Sequence, residues 1–165
     1  GTVSHLPVLR LAPVKENRNN CPFLTGDHCA IHDAEPLVCA LYPLAQEISR
    51  KGQVSYFLQP TGCGGQVIEA RVEDYLARYD VPAREQTDVR WAQTCMTLED
   101  TVEQLGAQLS PVLVRRMQDK LWQALYFGYD YAAPFLPQLE KNLHWLDVEF
   151  AKLTEYQQKR NNASK

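Results

Sequence analysis

The residues in this chain most suited to chemistry are four cysteines near its start: Cys21, Cys29, Cys39 and Cys63. Seven, nine and twenty-three residues separate them. No CxxC pair is present, so spacing alone is a weak metal signal. Their neighbours strengthen it, because each cysteine sits beside a device that presents or stabilises a thiolate. Cys21 precedes Pro22 at the end of a polar turn, and Cys29 follows the turn Gly26-Asp27-His28. Cys39 lies three residues after Pro36, in the first turn of an expected short helix, where free amides and the helix dipole favour a negative sulfur. Cys63 sits in Thr61-Gly62-Cys63-Gly64-Gly65, where glycines let backbone amides approach a sulfur closely. The thiolate is the form that ligates metal, so these placements suit a zinc or iron site, including an iron–sulfur centre.

Two histidines flank Cys29. His32 is a candidate further ligand, or a residue that orients one, because imidazole suits zinc and iron. His28 reads as a solvated turn residue. Asp27 and Asp33 are candidate acceptors behind the ligands, although surface carboxylates in turns are the default. Cys95 differs from the four. It shares a helical stripe with Trp91 and Leu98 and reads as core. His144, beside the stripe of the last helix, reads as structural.

The elements that must position these groups fall into two textures. Residues 1–66 hold the proline, glycine and cysteine punctuation, with expected short strands at Pro7–Val14 and Val54–Gln59. Glu35-Pro36 opens a short helix that Pro43 limits to about two turns. Residues 67–156 read as helices. Ile68, Val72, Tyr75, Leu76 and Tyr79 share one face, ended by Asp80-Val81-Pro82. Trp91, Cys95, Leu98, Val102 and Leu105 imply one long helix, or two broken at Thr97. Ser110-Pro111 caps a helix carrying Val114, Met117, Leu121 and Leu125. An aromatic joint, Tyr126–Tyr131, leads to a last stripe of Leu136, Leu139, Leu143, Leu146, Phe150 and Leu153. The polar tail 157–165 is expected to fray. The fold class is therefore mainly α, a small irregular head with two short strands followed by a helical bundle, in one domain over 1–165.

Composition bounds the class further. The chain has 165 residues, a net charge of -3, 45% hydrophobic residues and 22% charged ones. That length buries a core without metal or disulfides, so a metal would serve one region. An odd count of five cysteines speaks against a disulfide scaffold. No apolar run spans a membrane, and the first residues lack the pattern of a signal peptide. The expected setting is cytoplasmic. The slightly acidic balance argues against nucleic acid as a partner. The chain opens on Gly, which reads as a processed or trimmed piece of a longer one.

The string Cys21-Pro22-Phe23-Leu24, Cys29-Ala30-Ile31-His32, Glu35-Pro36-Leu37-Val38-Cys39-Ala40-Leu41-Tyr42-Pro43-Leu44, and then Cys63-Gly64-Gly65, resembles the bacterial YkgJ-type cysteine-cluster family of zinc- or iron-chelating domains. The resemblance covers residues 7 to about 92, with a helical extension similar to that of some members. It implies that Cys21, Cys29, Cys39 and Cys63 are metal or cluster ligands. Three departures stand out. The family usually carries a CxxCxxCC-like group upstream, and no cysteine precedes Cys21 here. Glu35 stands where a basic residue usually precedes the proline. Ala45-Gln46 stands where Gly-Arg often follows, so an anion-binding arginine is not carried over.

Three functions remain open on the sequence. The first is a metal-binding protein that chelates zinc or iron through thiolates, in a mononuclear, multinuclear or iron–sulfur site. The second is a redox or protein-modifying enzyme that uses the cluster; a similar cluster occurs in flagellin lysine methylases. The chain has no dinucleotide or P-loop glycine motif, GxSxG elbow or HExxH to support a catalytic assignment of its own. The third is an adaptor whose head is clamped by metal and whose helical half binds a protein partner, with the aromatic joint as the first place to look.

Overall fold

A computed structural model of the chain describes residues 6–9, 12, 15, 21–60 and 71–163. The chain divides into two compact units: Leu9–Gln93, and Thr94–Lys165 with Gly1–Val8. The architecture is mainly α with a small β-containing head.

The first unit begins with a two-strand ribbon, β1 (Leu24–Thr25) against β2 (His28–Cys29), antiparallel, with Leu24 opposite Cys29. Its two-residue turn is Gly26-Asp27, and Gly26 has φ +64°, the conformation that favours glycine at the first turn position. A 3-10 turn, His32–Ala34, and extended Glu35 lead to the single-turn helix α1 (Leu37–Ala40). Helix α1 starts after Pro36 as expected, but it is shorter than two turns. A longer hairpin follows: β3 (Leu44–Ile48) pairs antiparallel with β4 (Val54–Leu58) in the register Leu44↔Leu58 to Ile48↔Val54.

Strand β4 falls where β-branched and aromatic residues predict it. Its partner was not expected, because Ala45, Gln46 and Glu47 favour strands little. Pairing along all of β4 overrides that preference. The expected strand at Pro7–Val14 is not formed by its described residues, Pro7–Leu9 and Ala12. The Pro7 carbonyl instead accepts a hydrogen bond from the Tyr126 hydroxyl at 2.9 Å, within the second unit.

Helix α2 (Val72–Ala77) and the start of α3 (Val81–Gly106) complete the first unit. They are separated where the sequence places the break. Asp80 there adopts φ +54°, a left-handed conformation that aspartate tolerates better than most residues. Leu41, Leu76 and Val81 form a small core, with Leu37, Leu44, Tyr56, Tyr75 and Tyr79 packed against it. Helix α3 is one helix through Thr97. The Thr97 carbonyl accepts from Thr101 Oγ1 at 3.0 Å, the side-chain bond to residue i−4 that threonine makes inside a helix.

In the second unit, α4 (Pro111–Trp122) continues into a π-helical turn (Gln123–Phe127), and α5 (Phe135–Ala163) returns along them. Leu98, Val102, Val114, Met117, Leu121, Leu125, Leu139, Leu146 and Phe150 are buried there, on the stripes read from sequence, and Leu113 is buried beside them. Glu149 joins α4 to α5 by accepting from Lys120 at 2.9 Å and Lys152 at 2.7 Å, and both contacts hold its carboxyl below the ordinary value. Ser110 stands at the N-cap of α4, but its side chain makes no capping bond. Its N–H donates instead to Gln157 Oε1 at 3.0 Å. The polar tail is helical to Ala163 rather than frayed, supported by Glu155–Lys159 and Gln157–Asn161 contacts at i,i+4. No helix among the described residues is long and apolar enough to cross a membrane.

Candidate metal centre

Three of the four predicted ligands lie among the described residues of the head, and the charge of Cys21 and Cys29 is felt at Cys39. Cys21 is exposed and lies just before the β1–β2 ribbon, where its carbonyl accepts the Leu24 N–H at 3.1 Å. Cys29 is half-buried in β2, opposite Leu24. The ribbon thus folds the chain back so that Cys21 and Cys29 leave from its same end. Cys39 is exposed on α1. Its N–H donates to the Pro36 carbonyl at 2.8 Å, and its carbonyl accepts from Tyr42 at 3.2 Å.

Helical spacing explains why α1 presents the thiol outward. Leu37 and Leu41, four residues apart, pack in the small core, and Ala40 is buried. Val38 and Cys39 are left on the other side, both exposed. Tyr75 of α2 secures this arrangement from below. Its hydroxyl is shared between the carbonyls of Ala40 at 3.1 Å and Tyr42 at 3.0 Å. Those carbonyls lie at the end of a one-turn helix, where backbone acceptors have no intrahelical donor. Sequence periodicity placed Tyr75 only on an apolar stripe; its anchoring role became visible with the fold.

The Cys39 thiol senses the charge of Cys21 and Cys29. Loss of hydration comes first in raising the Cys39 thiol above its ordinary value of 9.0, followed by the Glu35 carboxylate and then Cys21 and Cys29. Each negative neighbour makes a second negative charge harder to form. A cation reverses that balance, because it turns mutual repulsion among thiolates into shared attraction. All three cysteines carry free thiols. Among the described residues, no three His, Cys, Asp or Glu side chains already stand as a group spaced to hold a metal ion. Cys63 lies outside the described residues.

The remaining predicted residues separate clearly. His28 Nδ1 lies 3.2 Å from Asp27 Oδ1, and both side chains are solvent-exposed. Asp33 is exposed in the 3-10 turn. His32 Nδ1 lies 3.4 Å from Glu35 Oε1; the histidine side chain is 74% exposed and the glutamate only 13%. Glu35 was noted in the sequence only as a departure from the family pattern. Its position four residues before Cys39 was the available signal for its nearness to that thiol.

Cys95 is half-buried in α3 and belongs to the second unit, whereas the head cysteines belong to the first. Burial, with a smaller contribution from Glu99, pushes its thiol up to about 11. A thiol held neutral in this way is suited to packing and poorly suited to ligation. His144 is exposed on α5. In the aromatic joint, Tyr126 and Tyr129 are half-buried, whereas Phe127 and Tyr131 are exposed.

No family model, curated protein or solved structure matches the chain.

Proposed function

We propose that the head is a metal-binding module in which the thiolates of Cys21, Cys29, Cys39 and Cys63 chelate zinc or iron. The observation that carries this reading is that Cys39, a free thiol exposed on α1, feels the charge of the free thiols Cys21 and Cys29. Buried apolar filler does not explain it, because Cys21 and Cys39 are exposed. The cysteine string similar to the YkgJ-type family supports the same assignment and supplies Cys63.

The chemistry follows from the donor set. Thiolates suit tetrahedral zinc and iron–sulfur centres, and binding releases the thiol protons. The small core of Leu41, Leu76 and Val81 contains none of these cysteines, so the metal would order the ribbon and α1 rather than the whole chain. The module is read as cytoplasmic, where thiols stay reduced.

Elemental analysis of protein purified without oxygen tests the proposal. Zinc or iron should copurify in a fixed ratio to the chain and fall sharply in Cys21→Ser, Cys29→Ser, Cys39→Ser and Cys63→Ser. Protein that takes up neither metal, even when supplied with each under reducing conditions, overturns it.

A further inference from the structure

The π-helical turn Gln123–Phe127 builds a platform of three aromatic rings. In an α-helix the residue four positions on lies over a given side chain, and a turn closed by i→i+5 bonds brings the fifth there as well. Trp122 accordingly meets two rings, Tyr126 at 5.2 Å and Phe127 at 6.0 Å between centroids. Asn142 of α5 fixes the turn through the carbonyls of Ala124 and Gly128, each at 3.1 Å. The rings are thus positioned by the helices themselves, and Phe127 remains 71% exposed.

The chain's own segment Leu6–Val8 is held at this platform. It is neither helix nor strand; Pro7 is buried, whereas Val8 is exposed. Proline has no N–H, so its carbonyl is its one backbone group able to hydrogen-bond. The Tyr126 hydroxyl donates to that carbonyl at 2.9 Å, across 119 positions of sequence. No other hydrogen bond ties Leu6–Val8 to the described residues. A short segment with a single anchor opens locally at little cost, while the helices beneath it stay folded. That is the relation of a ligand to a preformed site.

We infer that the Trp122–Tyr126–Phe127 platform is a peptide-binding site for an extended, apolar, proline-containing segment of a partner protein, and that Leu6-Pro7-Val8 occupies it from within the chain until the partner displaces it. The logic is that of proline-rich ligands, whose preformed backbone docks on an aromatic surface while a side-chain donor fixes a carbonyl. The sequence Leu-Pro-Val defines the class of ligand, because it is the sequence held there. The inference stands apart from the metal-binding reading of the head.

NMR of the Gln123–Gly128 amides in the full chain tests it, with a synthetic peptide of the sequence Ser4–Ala12 as probe. Pro7→Asp in the chain places a charge at the buried position and should vacate the platform. The peptide should then shift those amides saturably. It should bind this variant at least about 10-fold more tightly than the wild type, where the tethered segment competes at a high effective concentration. Tyr126→Phe added to Pro7→Asp should weaken binding by about 2–10-fold. A peptide whose proline is replaced by aspartate should not bind. In the wild type, excess peptide should also shift the Val8 amide as the chain's own segment leaves, a readout that needs no variant to fold. Amides that respond to the peptide in neither chain, or equal binding of the two peptides, overturn the inference. Shifts that grow with protein concentration alone, alongside a dimer mass in light scattering, would give the platform to a second copy and overturn the partner assignment.

Discussion

Replacing Gly52 with alanine should loosen the hairpin that carries β3 and β4. Gly52 closes the turn between these strands with φ +77°, and its N–H donates to the Ser49 carbonyl at 2.9 Å. A Cβ at this position would stand 3.1 Å from Val89 Cγ1 and 3.2 Å from Gln93 Nε2. Gln93 Nε2 also donates to the Arg50 carbonyl at 3.3 Å, so the new methyl presses on the group that ties the turn to α3. The left-handed backbone costs an alanine about 1–2 kcal/mol, and overpacking adds about 1 kcal/mol or more. The restricted unfolded chain returns roughly 0.4–1 kcal/mol, which leaves a net loss of about 2 kcal/mol. Urea unfolding, with hydrogen exchange of the β3 and β4 amides, measures it. Gly52→Asn separates the two causes, because asparagine tolerates the backbone but keeps the Cβ contact. Val89→Ala should relieve the contact term, so the double variant Gly52→Ala/Val89→Ala should lose less than the sum of the single ones. A Gly52→Ala protein as stable as the wild type, with unchanged exchange in the hairpin, would refute the reasoning.

Two further predictions concern the helical unit. Asn142 Nδ2 donates to the carbonyls of Ala124 and Gly128, each at 3.1 Å, and so finishes the π-helical turn; Asn142→Ala should lose about 1–2 kcal/mol in urea unfolding. A Cβ on Gly128 would stand 2.9 Å from the same Nδ2, so Gly128→Ala should be destabilising but add little to Asn142→Ala, and full additivity would contradict the shared cause. The Cys95 thiol, raised from 9.0 to about 11, keeps its proton in the folded state after the unfolded state has lost it. Its contribution to stability is therefore full below pH 9.0 and lost as the pH climbs toward about 11. After allowance for partial solvent screening, wild type should lose about 1–2 kcal/mol more than Cys95→Ala across that window, and parallel pH–stability curves would contradict it.

The helices were legible because their apolar residues recur at spacings of three and four, and Leu139, Leu146 and Phe150 are buried as that pattern requires. Strand β3 was not legible, because Ala45-Gln46-Glu47 owes its conformation to β4 rather than to its own preferences. The Thr97 break was ambiguous in sequence, since threonine serves both as a cap and as an interior residue bonded within the helix. The polar tail looked frayed by composition, whereas its i,i+4 contacts carry the helix to Ala163. At the candidate site, residue types and turn residues singled out Cys21, Cys29 and Cys39. They did not reveal the Tyr75 anchor, which depends on α2 lying beneath α1, nor the pairing of Glu35 with His32, which depends on a turn only the fold defines.

X-ray absorption at the metal edge of protein loaded with zinc under reducing conditions tests the central claim most directly. The head should give a first shell dominated by sulfur at about 2.3 Å, and that shell should lose sulfur in Cys39→Ser. A first shell of nitrogen and oxygen alone, or one unchanged by Cys39→Ser, would contradict the assignment of these cysteines as the ligands.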